Sequence, residues 1–431
     1  MSAADQGVTS EIVRLDGHVV DSLLLAKVLD TIVDAGASYE ILELEMGTTS
    51  LDESHVRIRV SAADEPALDA LLAEVQVHGV NREDASDAEV VAAPVDGVLP
   101  AEFYSTTNLV TWVRVDGRWI QSGRPEMDCA LVVDPAPSTA GADVGRVRMV
   151  PMHRVHAGEQ VVVGWRGVRV ENPTRADDGD TFGFMTSEVS SEKPKAVSLA
   201  RVAASIRDAR HRRERGAGGG RVLAVCGPAV VHTGAAPALA RLVRDGWVQL
   251  LFAGNGFATH DIESNVLGTS LGVSLGEGIL AEHGHANHLR VINEVRRFGS
   301  IAAAVESGWL GGGVLYECVR AGVPFVLGGS VRDDGPLPDV ISDTVAAADA
   351  MRARLDDVDV AVMLATTLHA IATGNLLPAG VETYCVDINQ AVVTKLADRG
   401  SHQALGIVTD VGLFMGELAD RLCGPEQQPG P

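Results

Sequence analysis

Polar side chains recur directly after apolar runs in the C-terminal part of the chain. The runs are VQLLFAG, PFVLGGS, VDVAVMLA and ETYCVDI, at 248–254, 324–330, 358–365 and 382–388. The polar residues that end or follow these and neighbouring patterns are Asn255, Asp333, Thr366, Asn375, Asp387 and Asp410. Amides, hydroxyls and carboxylates of this kind hydrogen-bond ribose hydroxyls and phosphates. The pattern therefore suits a nucleotide site better than a packed core.

Asp387 carries the strongest single signal, because it ends the apolar strand ETYCVDI ahead of a predicted helix. An acidic residue there commonly accepts hydrogen bonds from ribose hydroxyls. An aspartate that caps the following helix gives the same sequence pattern. Asp410 repeats the arrangement after the strand QALGIVTD. Two strands of one sheet that end alike favour a shared ligand.

A phosphate-binding turn is also expected, although the dinucleotide fingerprint GxGxxG is absent. The nearest string is AGNGFATHD at 253–261. Its two glycines allow close backbone approach by a phosphate, and the helix that follows favours an anion; a plain loop is the alternative. The loop TGNLLP at 373–378 adds Gly374 and Asn375, or is a helix C-cap. The loop GGSVRDDGPLP at 328–338 adds Arg332, Asp333 and Asp334.

The string EHGHANH at 282–288 places three histidines and a glutamate together. Their spacing matches no known metal-binding pattern, and a zinc site would need a distant fourth ligand. Active-site histidines and surface histidines are the other two interpretations, and no metal is expected. GxSxG and Walker A motifs are absent, so serine hydrolysis and phosphoryl transfer have no support.

The elements that position these residues are predicted by hydrophobic pattern. Continuous apolar runs separated by helices indicate a parallel sheet covered on both faces, and ligands bind such sheets beyond the carboxyl ends of the strands. We therefore predict a C-terminal, parallel-sheet, Rossmann-like α/β domain over 196–424. Its further predicted elements are strands at 221–227 and 403–410 and helices at 198–215, 234–246, 288–297 and 411–422.

Two smaller domains are predicted ahead of the α/β domain. Residues 11–98 follow the order βαββαβ of a ferredoxin-like α+β domain, with 89–95 as its last strand. That fold serves structural modules and small-molecule sensors alike. Residues 99–195 contain short apolar runs separated by DG, SG and AG turns, which predicts a β-rich middle domain, either a small barrel or a sandwich.

Composition limits the partners. The chain has 431 residues and a net charge of −23, which argues against nucleic acid and anionic membranes as partners. Its five cysteines form no CxxC pair, so neither a disulfide framework nor a zinc ribbon is indicated. Neither a signal peptide nor an apolar run of membrane-spanning length is recognised. A cytoplasmic protein, assembled as a homo-oligomer, is expected.

Long strings of the chain resemble the LOR/SDH-domain family. They include LEMGTTSLDESHVRIRV, TTNLVTWV, PEMDCALVV, AGNGFATHDIESNVLGTSLG, GGSVRDDGPLPDVISDT, MLATTLHAIATGNLLP and CVDINQAVVTKLADRGSHQALGIVTDVG. The resemblance runs from Glu11 to Gly416. The family contains archaeal-type ornithine cyclodeaminases and the C-terminal part of bifunctional arginine dihydrolase/ornithine cyclodeaminases. No arginine-hydrolysing domain is expected ahead of residue 11.

The resemblance implies a bound NAD that is reduced and reoxidised while L-ornithine becomes L-proline and ammonia. It also implies roles for individual residues: Asn255 and Gly256 at the phosphates, Thr366, Gly374, Asn375 and Leu376 at the nicotinamide ribose or phosphates, Asp387 and Ile388 at the adenine ribose, and Asp333 and Asp410 closing the site. Gly256 stands where the family pattern leads us to expect alanine. The candidates for acid/base catalysis, chosen from charge and placement, are Asp334, His285 and Lys195.

Two other functions are compatible with the same residues. A plain NAD-dependent amino-acid dehydrogenase, related to saccharopine metabolism, would release NADH, whereas a cyclodeaminase would not. A non-catalytic protein that senses NAD or an amino acid would use the ferredoxin-like domain as its sensing domain. Release of ammonia from ornithine discriminates between all three.

Overall fold

The computed structural model describes residues 9–17, 24–47, 52, 54–76, 78–83, 86–135, 146–171, 195–216, 218–270, 273–274, 286–333, 335–398 and 404–424. The chain forms two compact units. The first comprises Met1–Thr186 with Leu377–Ala379, and the second comprises Ser187–Leu376 with Gly380–Pro431. In the described part of the chain, no helix combines the length and the apolar character needed to cross a membrane.

The first unit begins with the predicted ferredoxin-like α+β pattern. Its elements are β1 (Thr9–Gly17), α1 (Leu24–Asp34), β2 (Ser38–Glu45), β3 (Ser54–Ala62), α2 (Glu65–Gln76) and β4 (Val80–Arg82). The strands form an antiparallel sheet in the order β2-β3-β1-β4. Alternate residues of β3 are buried, as expected for a sheet with one face packed on helices. Val28 and Ile32 of α1 complete the core.

The last strand of this sheet differs from the prediction. Residues 89–95 were expected to supply it, but the fourth strand is β4, which pairs with β1. A strand does form at β5 (Glu89–Ala92), yet it pairs with another sheet. The reason is length: β4 has only three residues, too few to show a period-2 pattern.

The rest of the first unit consists of two antiparallel sheets. Its further strands are β6 (Val110–Val115), β7 (Arg118–Gln121), β8 (Cys129–Asp134), β9 (Arg146–Pro151), β10 (Gln160–Val163) and β11 (Val168–Glu171). They are ordered β5-β10-β8-β9 and β11-β6-β7. These six further strands all lie within residues 99–195, the segment predicted to be rich in short strands. The Asn81 side chain exchanges hydrogen bonds of 2.8 and 2.9 Å with the Val170 backbone, which ties β4 to β11.

The second unit is the predicted Rossmann-like fold. Its strands are β12 (Arg221–Cys226), β13 (Leu250–Gly254), β14 (Thr269–Ser270), β15 (Val273–Ser274), β16 (Phe325–Gly328), β17 (Val340–Ile341), β18 (Val358–Leu364), β19 (Glu382–Asp387) and β20 (Ala404–Val408). Its helices are α3 (Lys195–Glu214), α4 (Ala229–His232), α5 (Ala236–Arg244), α6 (Asn255–Leu267), α7 (Asn287–Phe298), α8 (Ile301–Glu306), α9 (Val314–Ala321), α10 (Thr344–Arg352), α11 (Leu368–Leu376), α12 (Gln390–Asp398) and α13 (Val411–Cys423).

The central sheet has seven parallel strands in the order β17-β16-β13-β12-β18-β19-β20. On one side of β12 the chain adds β13, β16 and β17 in sequence order. On the other side of β12 it then adds β18, β19 and β20. Between β12 and β18 lies the topological switch point, where the segments that follow neighbouring strands run in opposite directions and leave a crevice. The central strands β12, β13 and β18 are nearly fully buried, which explains why the sequence shows continuous apolar runs there.

Residues 373–378 were expected to form a loop after a helix, but α11 continues through Leu376. Thr373, Gly374 and Leu376 are buried in its last turn. Burial of this turn, with the Thr373 and Leu376 side chains, offsets the cost of about 1 kcal/mol for a glycine within a helix.

Candidate functional site

A cavity of about 590 Å³ lies at the carboxyl ends of β12, β13 and β16. This is where a doubly wound sheet binds its ligands. Three residues predicted to bind a cofactor, Asn255, Gly256 and Asp333, line it. Its other polar groups are His232, Thr259, His260, His288, Ser330, Arg332 and His369. The cavity is therefore the candidate site. Its lining includes His288 of the string EHGHANH, together with His232, His260 and His369, which the sequence prediction did not include.

The N-terminus of α6 opens onto this cavity. Gly254 ends β13 in extended conformation and precedes the helix without a side-chain cap. The first amides of a helix have no partner within it and favour an anion. Asn255 is 5% exposed, and its side-chain oxygen accepts a hydrogen bond of 3.0 Å from the Leu337 amide. These features fit the predicted contact with a phosphate.

The absence of side chains at two glycines shapes the same region. A Cβ at Gly254 would lie 2.8 Å from Cε1 of His369, and one at Gly256 would lie 3.2 Å from Cγ of Pro228. The first distance is too short for two carbon atoms, whereas the second needs only a small shift. Gly254 is thus required for the packing of His369, while alanine at position 256 is nearly accommodated.

The switch point brings two backbones into unusually close approach. The Gly227 amide donates a hydrogen bond of 2.9 Å to the Leu364 carbonyl, and a Cβ on Gly227 would lie 1.9 Å from the Ala365 oxygen. Ala365 has φ of 46°, a left-handed conformation that non-glycine residues rarely adopt. Thr366, which follows, is largely buried and lies beside this contact, as expected for a residue at the crevice.

The two strand-end aspartates have different local roles. Asp387 is buried, and its Oδ1 accepts a hydrogen bond of 2.8 Å from the Asn389 amide. Asn389 in turn accepts a hydrogen bond of 3.0 Å from the Ala391 amide of α12. Asp410 is the N-cap of α13 and accepts from the Leu413 amide at 2.9 Å. Asp410 is therefore a helix-capping aspartate, the alternative to ribose binding that its sequence pattern left open.

The remaining predicted cofactor residues lie in three places. Gly374, Asn375 and Leu376 form the last turn of α11, whose first turn contributes His369 to the cavity. Ile388 follows β19 and is 73% exposed. Asp333 accepts a hydrogen bond of 2.8 Å from the Ser330 amide, which closes the turn after β16.

The predicted acid/base residues are not placed by the structure. Asp334 and His285 lie outside the described residues, as does most of the string EHGHANH. Lys195 begins α3, and its side chain is outside the described part. Within the described residues, no group of three or more His, Cys, Asp or Glu could hold a metal ion.

Burial lowers the pKa of two histidines that line the cavity. The pKa of His369 is lowered chiefly by burial, and the nearby Asp333 carboxylate opposes this effect. The pKa of His232 is also lowered, first by burial and then by His260, while Glu263 opposes. Neutral imidazoles can accept protons at neutral pH, so the cavity is suited to proton transfer.

Family models match almost the whole chain. The LOR/SDH bifunctional enzyme conserved region matches 10–109, the first region of the ArgZ-like arginine dihydrolase C-terminal part matches 110–199, and its Rossmann fold matches 200–418. The fold and site thus define an ArgZ-like C-terminal Rossmann protein. The chain belongs to the LOR/SDH family, that of the archaeal ornithine cyclodeaminases.

Individual relatives agree with this assignment. The chain is 49% identical to an ornithine cyclodeaminase of Methanocaldococcus jannaschii over 412 residues, 95% of each chain. A crystal structure of a LOR/SDH protein from Methanococcus maripaludis S2 has a TM-score of 0.72 and 44% identity, covering 78% of this chain and 98% of its own. A crystal structure of AgrE, the Nostoc sp. bifunctional arginine dihydrolase/ornithine cyclodeaminase, contains ornithine and NAD⁺. It has a TM-score of 0.50 and 40% identity, and the match covers 97% of this chain and 58% of AgrE.

Proposed function

We propose that this protein is an ornithine cyclodeaminase, which converts L-ornithine to L-proline and ammonia with a bound NAD. The observation that carries the proposal is the histidine-lined cavity beside the uncapped N-terminus of α6, in a family whose member AgrE has been solved with ornithine and NAD⁺. The acidic residue at the end of β19 adds the group that a Rossmann fold uses for ribose.

The residues present fit a dinucleotide. When bound, NAD would take a hydride from Cα of ornithine and return it to the cyclic imine. The α6 amides at Asn255 and Gly256 would hold a phosphate, because they face the cavity without a cap. Asp387 would accept hydrogen bonds from the adenine ribose, with Ile388 beside it. Thr366, Gly374, Asn375 and Leu376 would line the nicotinamide side, and Asp333 and Asp410 would close the site.

The chemistry of the substrate sets further demands on the chain. The α-ammonium group must lose a proton before hydride can leave Cα, and the δ-amine must be neutral to attack the resulting imine carbon. Ammonia then leaves from that carbon. A site that accepts and returns protons is therefore needed next to Cα, and the imidazoles that line the cavity meet that need.

We further propose the domain boundaries 11–98, 99–195 and 196–424, and expect copies of the chain to form a homo-oligomer. Size-exclusion chromatography with light scattering would measure the oligomeric state.

The function is tested by product analysis. Purified protein incubated with L-ornithine and NAD⁺ is expected to form proline and ammonia in equal amounts, with no net NADH. Amino-acid chromatography, an ammonia assay and NADH absorbance measure the three products. Stoichiometric NADH without proline would identify a dehydrogenase instead, and NAD binding with no turnover of ornithine would favour a sensor.

The two glycines of the α6 turn provide a matched pair of variants. Gly254→Ala is expected to lower ornithine turnover by roughly tenfold or more, because its Cβ would displace His369 and small displacements in an active site are costly. Gly256→Ala is expected to bind NAD within about twofold of the wild type, since a small shift of Pro228 costs on the order of 0.5 kcal/mol. Calorimetry and initial rates check both, and equal effects of the two variants would contradict the packing argument.

A further inference from the structure

One face of α6 carries a set of polar residues that the assigned cofactor contacts leave unexplained. These are Thr259, His260 and Glu263, which follow the proposed cofactor contact Gly256 by three, four and seven residues, a spacing that places all four on one side of a helix. Of the four, Gly256, Thr259 and His260 line the cavity. Asn255 and His260 are separated by five residues, about 7.5 Å along the helix axis. A phosphate held at the start of α6 therefore leaves His260 deeper in the same cavity.

Glu263 orients the imidazole of His260. Its carboxylate is completely buried, and Oε2 lies 2.9 Å from Nδ1 of His260. Because an ionised carboxylate can only accept, Nδ1 carries the proton in this pair and the neutral ring keeps Nε2 as a proton acceptor. This is the geometry in which a carboxylate fixes the tautomer of a catalytic histidine.

A second layer of buried groups holds Glu263 in turn. Thr269 donates a hydrogen bond of 2.8 Å from its hydroxyl to Oε1 of Glu263, and the side-chain amide of Asn287 donates to that same hydroxyl at 2.9 Å. Three buried polar residues behind one imidazole carry a desolvation cost. A helix needs no such network to pack, so the arrangement indicates a positioned imidazole.

His232 supports the same ring from its other side. The two imidazoles meet edge to face, with centroids 4.9 Å apart, and Nδ1 of His232 lies 2.7 Å from the hydroxyl of Ser270. The adjacent residues Thr269 and Ser270 thus hold both histidines in place: Thr269 acts through Glu263 on His260, and Ser270 contacts His232 directly. His369 differs, because it packs against Gly254 and Gly328 instead.

A polar group beside His260 indicates that a ligand belongs there. Thr259 lines the cavity and is 3% exposed, and its hydroxyl has no hydrogen-bond partner among the described residues. A buried hydroxyl without a partner costs about 1–3 kcal/mol, which a bound polar ligand would recover.

We propose that His260 is the residue that takes the proton from the α-ammonium group of ornithine, and that Glu263 is its positioning residue. This inference rests on the proposed function. Nε2 of His260 accepts one proton as the α-nitrogen becomes a neutral amine, and the Glu263 carboxylate stabilises the imidazolium. When the cyclic product forms, His260 returns that proton to the departing nitrogen, which leaves as ammonia. The proton count of the imidazole is unchanged after one turnover.

The proposal is tested with His260→Ala, His260→Gln and Glu263→Gln. We expect His260→Ala to lower kcat by about 100-fold or more, the usual contribution of a general acid/base, with NAD affinity by calorimetry unchanged. Added imidazole should restore part of this activity, which a merely structural role would not allow. Glu263→Gln should lower kcat by roughly tenfold or more, because the tautomer is no longer fixed. His260→Gln keeps a donor toward Glu263, so it tests the proton transfer even if the alanine variant is unstable.

A surface pair supplies the matched control. His211 and Glu214 on α3 have the same i, i+3 spacing, but their side chains are 64% and 52% exposed and the atoms lie 3.6 Å apart. His211→Asn is expected to keep the wild-type kcat. Retention of kcat in folded His260→Gln, or loss of both activity and NAD affinity in His260→Ala without rescue by imidazole, would overturn the proposal. If the wild type makes no proline, the proposed function itself fails.

Discussion

Asp387→Ala is expected to weaken NAD binding by about 1.5–3 kcal/mol, the range for hydrogen bonds to a charged group. This corresponds to a loss of roughly 10- to 150-fold in affinity, measured by titration calorimetry. The reason is the position of Asp387: it ends a buried strand of the central sheet, where a carboxylate can accept hydrogen bonds from ribose hydroxyls. The wild type should prefer NAD to NADP, because a 2′-phosphate would face this carboxylate, and the preference should shrink in the variant.

Asp343 provides the control for Asp387. It is exposed and caps α10 by accepting a hydrogen bond of 2.8 Å from the Ala346 amide. Asp343→Ala should cost about 1 kcal/mol of folding stability while NAD affinity stays at the wild-type value. Unchanged NAD affinity in Asp387→Ala would show that this aspartate serves only the local turn with Asn389.

The second large effect is a pH dependence of folding stability. Asp261 is fully buried on α6 and accepts hydrogen bonds from the amides of Val314 and Leu315 at 3.0 and 2.9 Å. Burial raises its pKa from 3.8 to about 6, although those two bonds oppose the shift. Because the folded state then holds its proton more tightly than the unfolded state, the contribution of Asp261 is greatest below pH 4. It falls as pH rises to about 6, by about 3 kcal/mol in all.

Asp261→Asn removes this titration and keeps one oxygen as an acceptor. The difference in unfolding free energy between variant and wild type should therefore change by about 3 kcal/mol between pH 4 and pH 7, in favour of the variant at the higher pH. Denaturant unfolding at several pH values measures that difference, and other titrating groups cancel from it. A difference that is constant with pH would mean that the two amide bonds outweigh the burial of the charge.

The central sheet could be predicted because its strands are buried on both faces. Runs such as Val358–Leu364 therefore contain almost no polar residue. Two elements without such a pattern were not predicted correctly. The three-residue strand β4 is too short to show periodicity, and the helix α11 passes through Gly374, a residue that usually marks a helix end. In both cases the outcome depends on neighbours distant in sequence.

The candidate site was predicted in part for the same reason. Asn255, Gly256 and Asp333, which line the cavity, could be picked out because the ends of parallel strands meet at one edge of the sheet. The importance of His260 was missed, although its i, i+3 spacing with Glu263 was visible in the string HDIE. The groups that make this pair unusual, Thr269 and Asn287, come from separate elements, so only the folded chain shows their convergence.

The contact between Gly227 and Ala365 constrains how this gene can change. Every missense mutation of a glycine codon adds at least a Cβ, and at position 227 that atom would lie 1.9 Å from the carbonyl oxygen of Ala365, much closer than van der Waals contact allows. Gly380, in contrast, has open space around its Cα, with no atom within 4 Å of an added Cβ. Codon 227 therefore cannot accept an amino-acid substitution while β12 and β18 keep this contact, whereas codon 380 is free of that steric constraint.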